Sequence, residues 1–177
     1  MNNIQIEQVL KSYNFTEYKW LNPQKDITLA HWVRFKCMYG CHNYGKSASC
    51  PPAVPPVDEC HKMIREYKSA LIIHFSIQSQ TKEEKQQILT DLMSLEREIF
   101  LAGYYKVLLL PHSPCRSCEN CVAEGDHINC IDKGKLRPGP DAMGIDIFQT
   151  ALDAGFRIKV ITDRDTVSDR FSFILIE

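Results

Sequence analysis

Eight cysteines fall in two groups of four: Cys37, Cys41, Cys50 and Cys60, then Cys115, Cys118, Cys121 and Cys130, with none from 61 to 114. Each group lies between a stretch of strand character and the next stretch of helical periodicity. The chain must therefore fold into a scaffold that hangs two cysteine-rich loops from strand ends, where rigid elements usually present ligands. At 8 of 177 residues, cysteine falls short of the roughly 8–10% that marks short disulfide scaffolds. Disulfides are not what holds such a fold together.

The start, MNNIQIEQVLKSYNF, has no basic region followed by a continuous apolar run, so it does not read as a secretory signal. The longest apolar stretches, near 70–75 and 107–110, fall far short of a membrane span. The expected compartment is the cytoplasm, where thiols stay reduced and clustered cysteines point to metal ligation or redox chemistry. With 21 basic and 22 acidic residues the formal charge is -1. That balance argues against nucleic acid or an anionic membrane as the main partner, leaving a redox partner protein or a small-molecule substrate.

The second group has the spacing C-x2-C-x2-C-x8-C in a polar loop with Arg116, Glu119, Asn120 and Asp126. Three thiols at two-residue gaps can converge on one centre as the backbone curls round it, the ferredoxin pattern for an iron-sulfur cluster. Structural zinc instead usually draws on two separated C-x2-C hooks. The first group, C-x3-C-x8-C-x9-C, is looser, but Gly40, Gly45, Pro51, Pro52, Pro55 and Pro56 would give a turning, rigid loop. Cys60 follows Val57 by three residues and precedes Ile64 by four, so it also reads as a core cysteine.

Eight thiols leave two assignments open. Either each loop holds its own four-cysteine centre, or Cys50, which precedes Pro51 as the crossing cysteine of bacterial ferredoxins precedes proline, completes the 115–121 triple and leaves Cys130 for another role. His42, His61, His112 and His127 lie beside the cysteines and read as supporting or surface residues. Lys133, Lys135 and Arg137 form a basic stretch before an expected helix; Lys135 and Arg137 are the candidate contacts for an anionic substrate or for an anionic cluster. Tyr44 and Lys46 could face a ligand, Asp141 reads as a first-turn helix charge, and Asp146 has no role from periodicity. No glycine-rich nucleotide motif is present.

The remainder alternates between helix and strand. Helices are expected at 3–14, from Pro56 onward, from the Thr81/Glu84 capping box to Gly103, and from Pro140 to Gly155. Strands are expected at 27–36 (ITLAHWVRFK), SALIIHFSI, YYKVLLL, RIKVIT and FSFILIE, the last two separated by DRDTVSD. Helices long enough to cross over favour a single-domain α/β sandwich over residues 1–177, with a mixed sheet of about five strands and a last strand that pairs antiparallel.

YGKSASCPP, PCRSCENC and KLRPGPDAMGIDIF, in that order, make the chain from Cys37 onward resemble a family of predicted metal-binding proteins of unknown function, common in anaerobic bacteria and archaea. The resemblance implies metal binding through the cysteines and supplies no reaction. Ala48 and Gly139 depart from the family's usual form, which has an aromatic and a helix-capping serine near these places.

The expected function is that of an iron-sulfur protein with one or two 4Fe-4S clusters, in electron transfer or cluster-assisted redox chemistry. Two alternatives stand beside it: a zinc-stabilised, non-catalytic binding or scaffold module, and a metal- or sulfur-handling enzyme whose cluster keeps an open coordination position. Whether the protein is an enzyme, and its oligomeric state, are open at the level of sequence.

Overall fold

The computed structural model describes residues 3–77, 81–115, 118, 121–123, 129–161 and 167–177. Strands β1 (Tyr18–Leu21), β2 (Ala70–Ile77), β3 (Leu108–Leu110) and β4 (Ser168–Leu175) form one open sheet in the order β1-β2-β4-β3. Every neighbouring pair is antiparallel. The helices are α1 (Asn3–Ser12), α2 (Pro23–Asp26), α3 (His31–Gly40), α4 (Val57–Ile64), α5 (Lys82–Leu101) and α6 (Ile147–Asp153).

Side chains alternate across a strand, and here both faces are apolar. Ala70 and Ile72 of β2, Leu110 of β3, and Phe171, Phe173 and Leu175 of β4 join Cys60 and Ile64 of α4 and Ala151 of α6 in one core. Leu71 and Ile73, Leu109, and Ile174 join Ile6 and Leu10 of α1 and Leu92, Leu95 and Ile99 of α5 in the other. The result is three layers, helices on both faces of the sheet, which is why the central strands read as nearly continuous apolar runs. α5 opens on the capping box: Thr81 Oγ1 accepts from the Glu84 amide at 3.2 Å and the Glu84 carboxylate accepts from the Thr81 amide at 2.8 Å. Gly103, at φ +104°, follows its last turn as the C-terminal glycine should.

Four expectations are corrected. The sheet is antiparallel rather than mixed, because β2 and β3, which α5 connects in the same direction, are separated by β4 instead of lying side by side. Residues 31–36 of the expected 27–36 strand are helical in α3, which runs on to Gly40 with only Val33 buried, after Leu29 has bridged to Ile145. The strand expected at RIKVIT has no ladder among its described residues 157–161; β4 is already paired on both sides, although Ile158 packs on the first core. The helix expected at Pro140 begins instead at Ile147, where Asp146 caps it by accepting from the Gln149 amide at 3.0 Å, and Pro140 starts a turn. The described strands therefore number four, including the short β1, which is not among the expected strands. The DRDTVSD turn lies largely outside the described residues.

No helix among the described residues is long and apolar enough to cross a membrane. Truncating Leu95, fully buried between α5 and the sheet, to alanine is expected to cost about 3 kcal/mol, and Thr81→Ala about 1 kcal/mol. Equilibrium denaturation of the two variants checks this order.

Candidate metal centre

Cys37 occupies the last turn of α3 and Cys41 its C-cap, where the Cys41 amide donates to the Cys37 carbonyl at 3.3 Å. The loop that follows is built from tight turns: Tyr44 donates to Cys41 O at 3.1 Å, Gly45 to Pro51 O at 3.0 Å, and Cys50 to Ser47 O at 3.1 Å. Gly45 sits at φ +76°, a conformation that favours glycine. These turns bring Cys50 back beside Cys37 and Cys41, and the three thiol-bearing residues line one small cavity of about 50 Å³ with Tyr44 and Asp141.

Asp141 arrives there from far along the chain. Arg34 of α3 donates to Ala142 O at 2.7 Å and to Pro55 O at 2.8 Å, pinning the 139–144 turn and the first cysteine loop to the same helix. The turn closes at Gly144, φ +84°, where a Cβ would meet the Val57 methyls at 3.0 Å. At Gly139 a Cβ would stand 2.8 Å from Asp141 Oδ1. Asp141 is thus a cavity residue and not the first-turn helix charge expected from sequence.

Burial pushes the Cys37 thiol up to about 11, with the negative charges of Asp141 and Cys41 adding to it. Cys50 is raised chiefly by burial, while its hydrogen bond with Ser49 pulls the other way. Cys60 is apart from this group. It is 1% exposed in the first core, with its thiol 3.5 Å from Pro55 O and 3.8 Å from Met143 Sδ, and burial raises it. The structure brings together Cys37, Cys41 and Cys50 and leaves Cys60 among apolar neighbours on α4. The first cysteine group is therefore not a single loop, since two of its members lie on helices.

The second group leaves the end of β3. Cys118 is raised by burial and then by the charges of Cys115, Cys121, Cys130 and Asp132, so the other three cysteines of this set lie within electrostatic reach of Cys118. Arg116, Glu119, Asn120, Asp126 and His127 lie outside the described residues. The two groups meet through a buried serine: Ser49, 1% exposed, accepts from the Cys115 amide at 3.0 Å, and Pro114 lines the cavity of Cys37, Cys41 and Cys50. Cys50 lines the cavity of Cys37 and Cys41 and follows directly on the Ser49 that meets Cys115.

The neighbouring candidates separate. His42 and Lys46 are exposed. His61 lies in the last turn of α4. The His112 amide donates to Ser172 Oγ at 2.9 Å, and its ring rests against Phe75. Lys135 pairs with Asp132 at 2.9 Å. Arg137 Nε donates to both oxygens of the buried Glu96 at 3.0 Å, while the Leu109 amide donates to the same carboxylate at 2.8 Å. Arg137 thereby fastens the 133–137 segment to α5 and β3, a part-buried pairing with no signal in the sequence. The basic stretch does not precede a helix N-terminus, since α6 begins only at Ile147.

Among the described residues no three Cys, His, Asp or Glu side chains stand in a ready-made ion-holding group. The donor set is nonetheless chemically apt: thiols are soft ligands that suit iron-sulfur clusters and zinc, and the thiols of each set line one cavity or share one field. Binding removes the protons of the thiols that ligate.

Because Cys37, Cys50 and Cys118 are all raised, metal uptake by the metal-free chain is expected to release protons and to strengthen from about pH 6 to about pH 9. Calorimetry in buffers of different ionisation enthalpy checks this. The sign for the metal-free fold is opposite: the contribution of the Cys37 thiol is intact below about pH 9 and is lost as pH climbs through about 11. Comparison with the curated proteins and with the solved structures gave no match. The sequence model of one family, described as predicted metal-binding proteins, matches residues 19–176, so nearly the whole scaffold and all eight cysteines are covered. The chain therefore belongs to the predicted metal-binding protein family DUF2284.

Proposed function

We propose that this metal-binding protein is a cytoplasmic iron-sulfur protein, with its cluster held by Cys115, Cys118, Cys121 and Cys130. A second metal centre sits at Cys37, Cys41 and Cys50 beside Asp141. The function is electron transfer or cluster-assisted redox chemistry, with a redox protein or a small molecule at the other end. The observation that supports this reading is the closeness of the two cysteine regions: the Cys115 amide donates to Ser49 Oγ, one residue before Cys50, an arrangement suited to passing electrons and unnecessary for a structural clip. The C-x2-C-x2-C spacing supports iron-sulfur over zinc for the second set. Once bound, such a cluster supplies one-electron chemistry, its potential tuned by burial and by hydrogen bonds to the sulfurs.

Anaerobically purified protein is expected to be brown, with iron and acid-labile sulfide in stoichiometric amounts; stoichiometric zinc without visible absorption overturns the reading. Cys118→Ser is expected to lose iron and sulfide from the second centre. Cys60→Ala is expected to keep the full metal content and to cost about 1 kcal/mol of stability as a core truncation. Metal analysis and denaturation of the same two variants separate ligand from core cysteine.

A further inference from the structure

On the outer side of α5 a cavity of about 790 Å³ opens between that helix and the 133–137 segment, within the size range of small-molecule sites. One wall is a helical stripe of α5 that includes Thr90, Met93 and Arg97; the other is Gly134, Lys135 and Arg137. The ion pair of buried Glu96 with half-buried Arg137 sets the distance between the walls, because it anchors the segment to the helix from beneath. The groove is therefore fixed by a salt bridge and does not depend on a ligand to form.

The charges in the lining are unequal. Glu96 contributes its single carboxylate and Arg137 answers it, while Arg97 and Lys135 supply two further cations. Lys135 shares its charge with Asp132, and Arg97 has no ion-pair partner among the described residues. Apolar surface lies beside these cations: Phe100 is 51% and Tyr105 77% exposed, and both line the cavity with Met93. Aromatic surface left open next to unanswered positive charge matches a ligand with an apolar body and a negative head.

We propose that this cavity binds a small organic carboxylate, its head met by Arg97 and Lys135 and its aromatic or branched body resting on Met93, Phe100 and Tyr105. Lys135 also lies within electrostatic reach of Cys118, so the bound anion sits on the side of the molecule that carries the second cysteine set. Its role as the substrate of a redox centre rests on the function proposed above; its binding does not.

The test is calorimetric titration of the protein as isolated with 1-naphthoate, and with 1-naphthalenemethanol as its uncharged counterpart. Naphthoate is expected to bind at least about tenfold more tightly than the alcohol, a difference of about 1.4 kcal/mol. Arg97→Gln, at an exposed position outside the cysteine sets, is expected to remove that preference. Thr90→Trp, which fills the groove from the solvent side of α5, is expected to abolish binding of both probes. Equal affinity for acid and alcohol, or naphthoate binding unchanged in both variants, overturns the proposal. The two readings fail separately: a colourless zinc protein that binds naphthoate overturns only the redox role, and a brown iron-sulfur protein that ignores it overturns only the cavity.

Discussion

The pairing of β2 with β4 over eight residues, from Ala70 opposite Leu175 to Ile77 opposite Ser168, is the constraint on which the rest of the fold depends. Both strands are apolar on both faces, so neither face of the pair can be left to water. α1 and α5 cover one face and α4 and α6 the other. At the middle of the pair His74 carries a carboxylate on each ring nitrogen, Glu17 and Asp169, and lies against the Phe171 ring, which ties β2 to β4 by polar as well as apolar contact. β1 and β3 add to the edges of this unit, and the second cysteine set begins where β3 ends.

What positions the cysteines is a small number of polar pins set in this apolar frame. Arg34 holds the 139–144 turn against α3, Ser49 joins the two cysteine regions, and Glu96 joins α5, β3 and the 133–137 segment through one carboxylate. Buried polar groups are costly when unpaired and specific when paired, so each pin selects one arrangement of loops that apolar packing alone would leave free. Loops rich in turns gain order from such pins more than from hydrophobic contact.

The thiols fall into a trio, a quartet and one core residue, and their environments differ accordingly. Cys37 and Cys50 share a cavity with the Asp141 carboxylate, whose charge raises the Cys37 thiol while Arg34 pulls the other way. Cys118 has Asp132 near it, but also Lys135, whose ammonium is held up by its hydrogen bond to Asp132 and by Cys118 itself. The two thiol sets thus sit among different charged neighbours.

Much of the scaffold was legible in the sequence because the signals were local. The capping box at Thr81, the α5 stripe of Leu92, Leu95 and Ile99 and the terminal Gly103 each need only neighbouring residues and occur where the pattern placed them; the apolar runs became β2, β3 and β4 with shifted ends, β3 keeping only Leu108–Leu110 of 104–110 and β4 starting at Ser168, inside the expected turn. The division of the cysteines into two groups was legible for the same reason. Tertiary structure alone decided the remainder. The β-branched and aromatic residues of 31–40 became a helix because the chain had left the sheet, and β4 entered between β2 and β3 because strand order is settled by which apolar faces can be covered together. Cys60 faces Met143 while Asp141 faces Cys37, across separations of 83 and 104 residues, 143 minus 60 and 141 minus 37. Spacing along a chain reports which side chains can share one turn or one helix face; which distant loops meet depends on the packing of the elements between them.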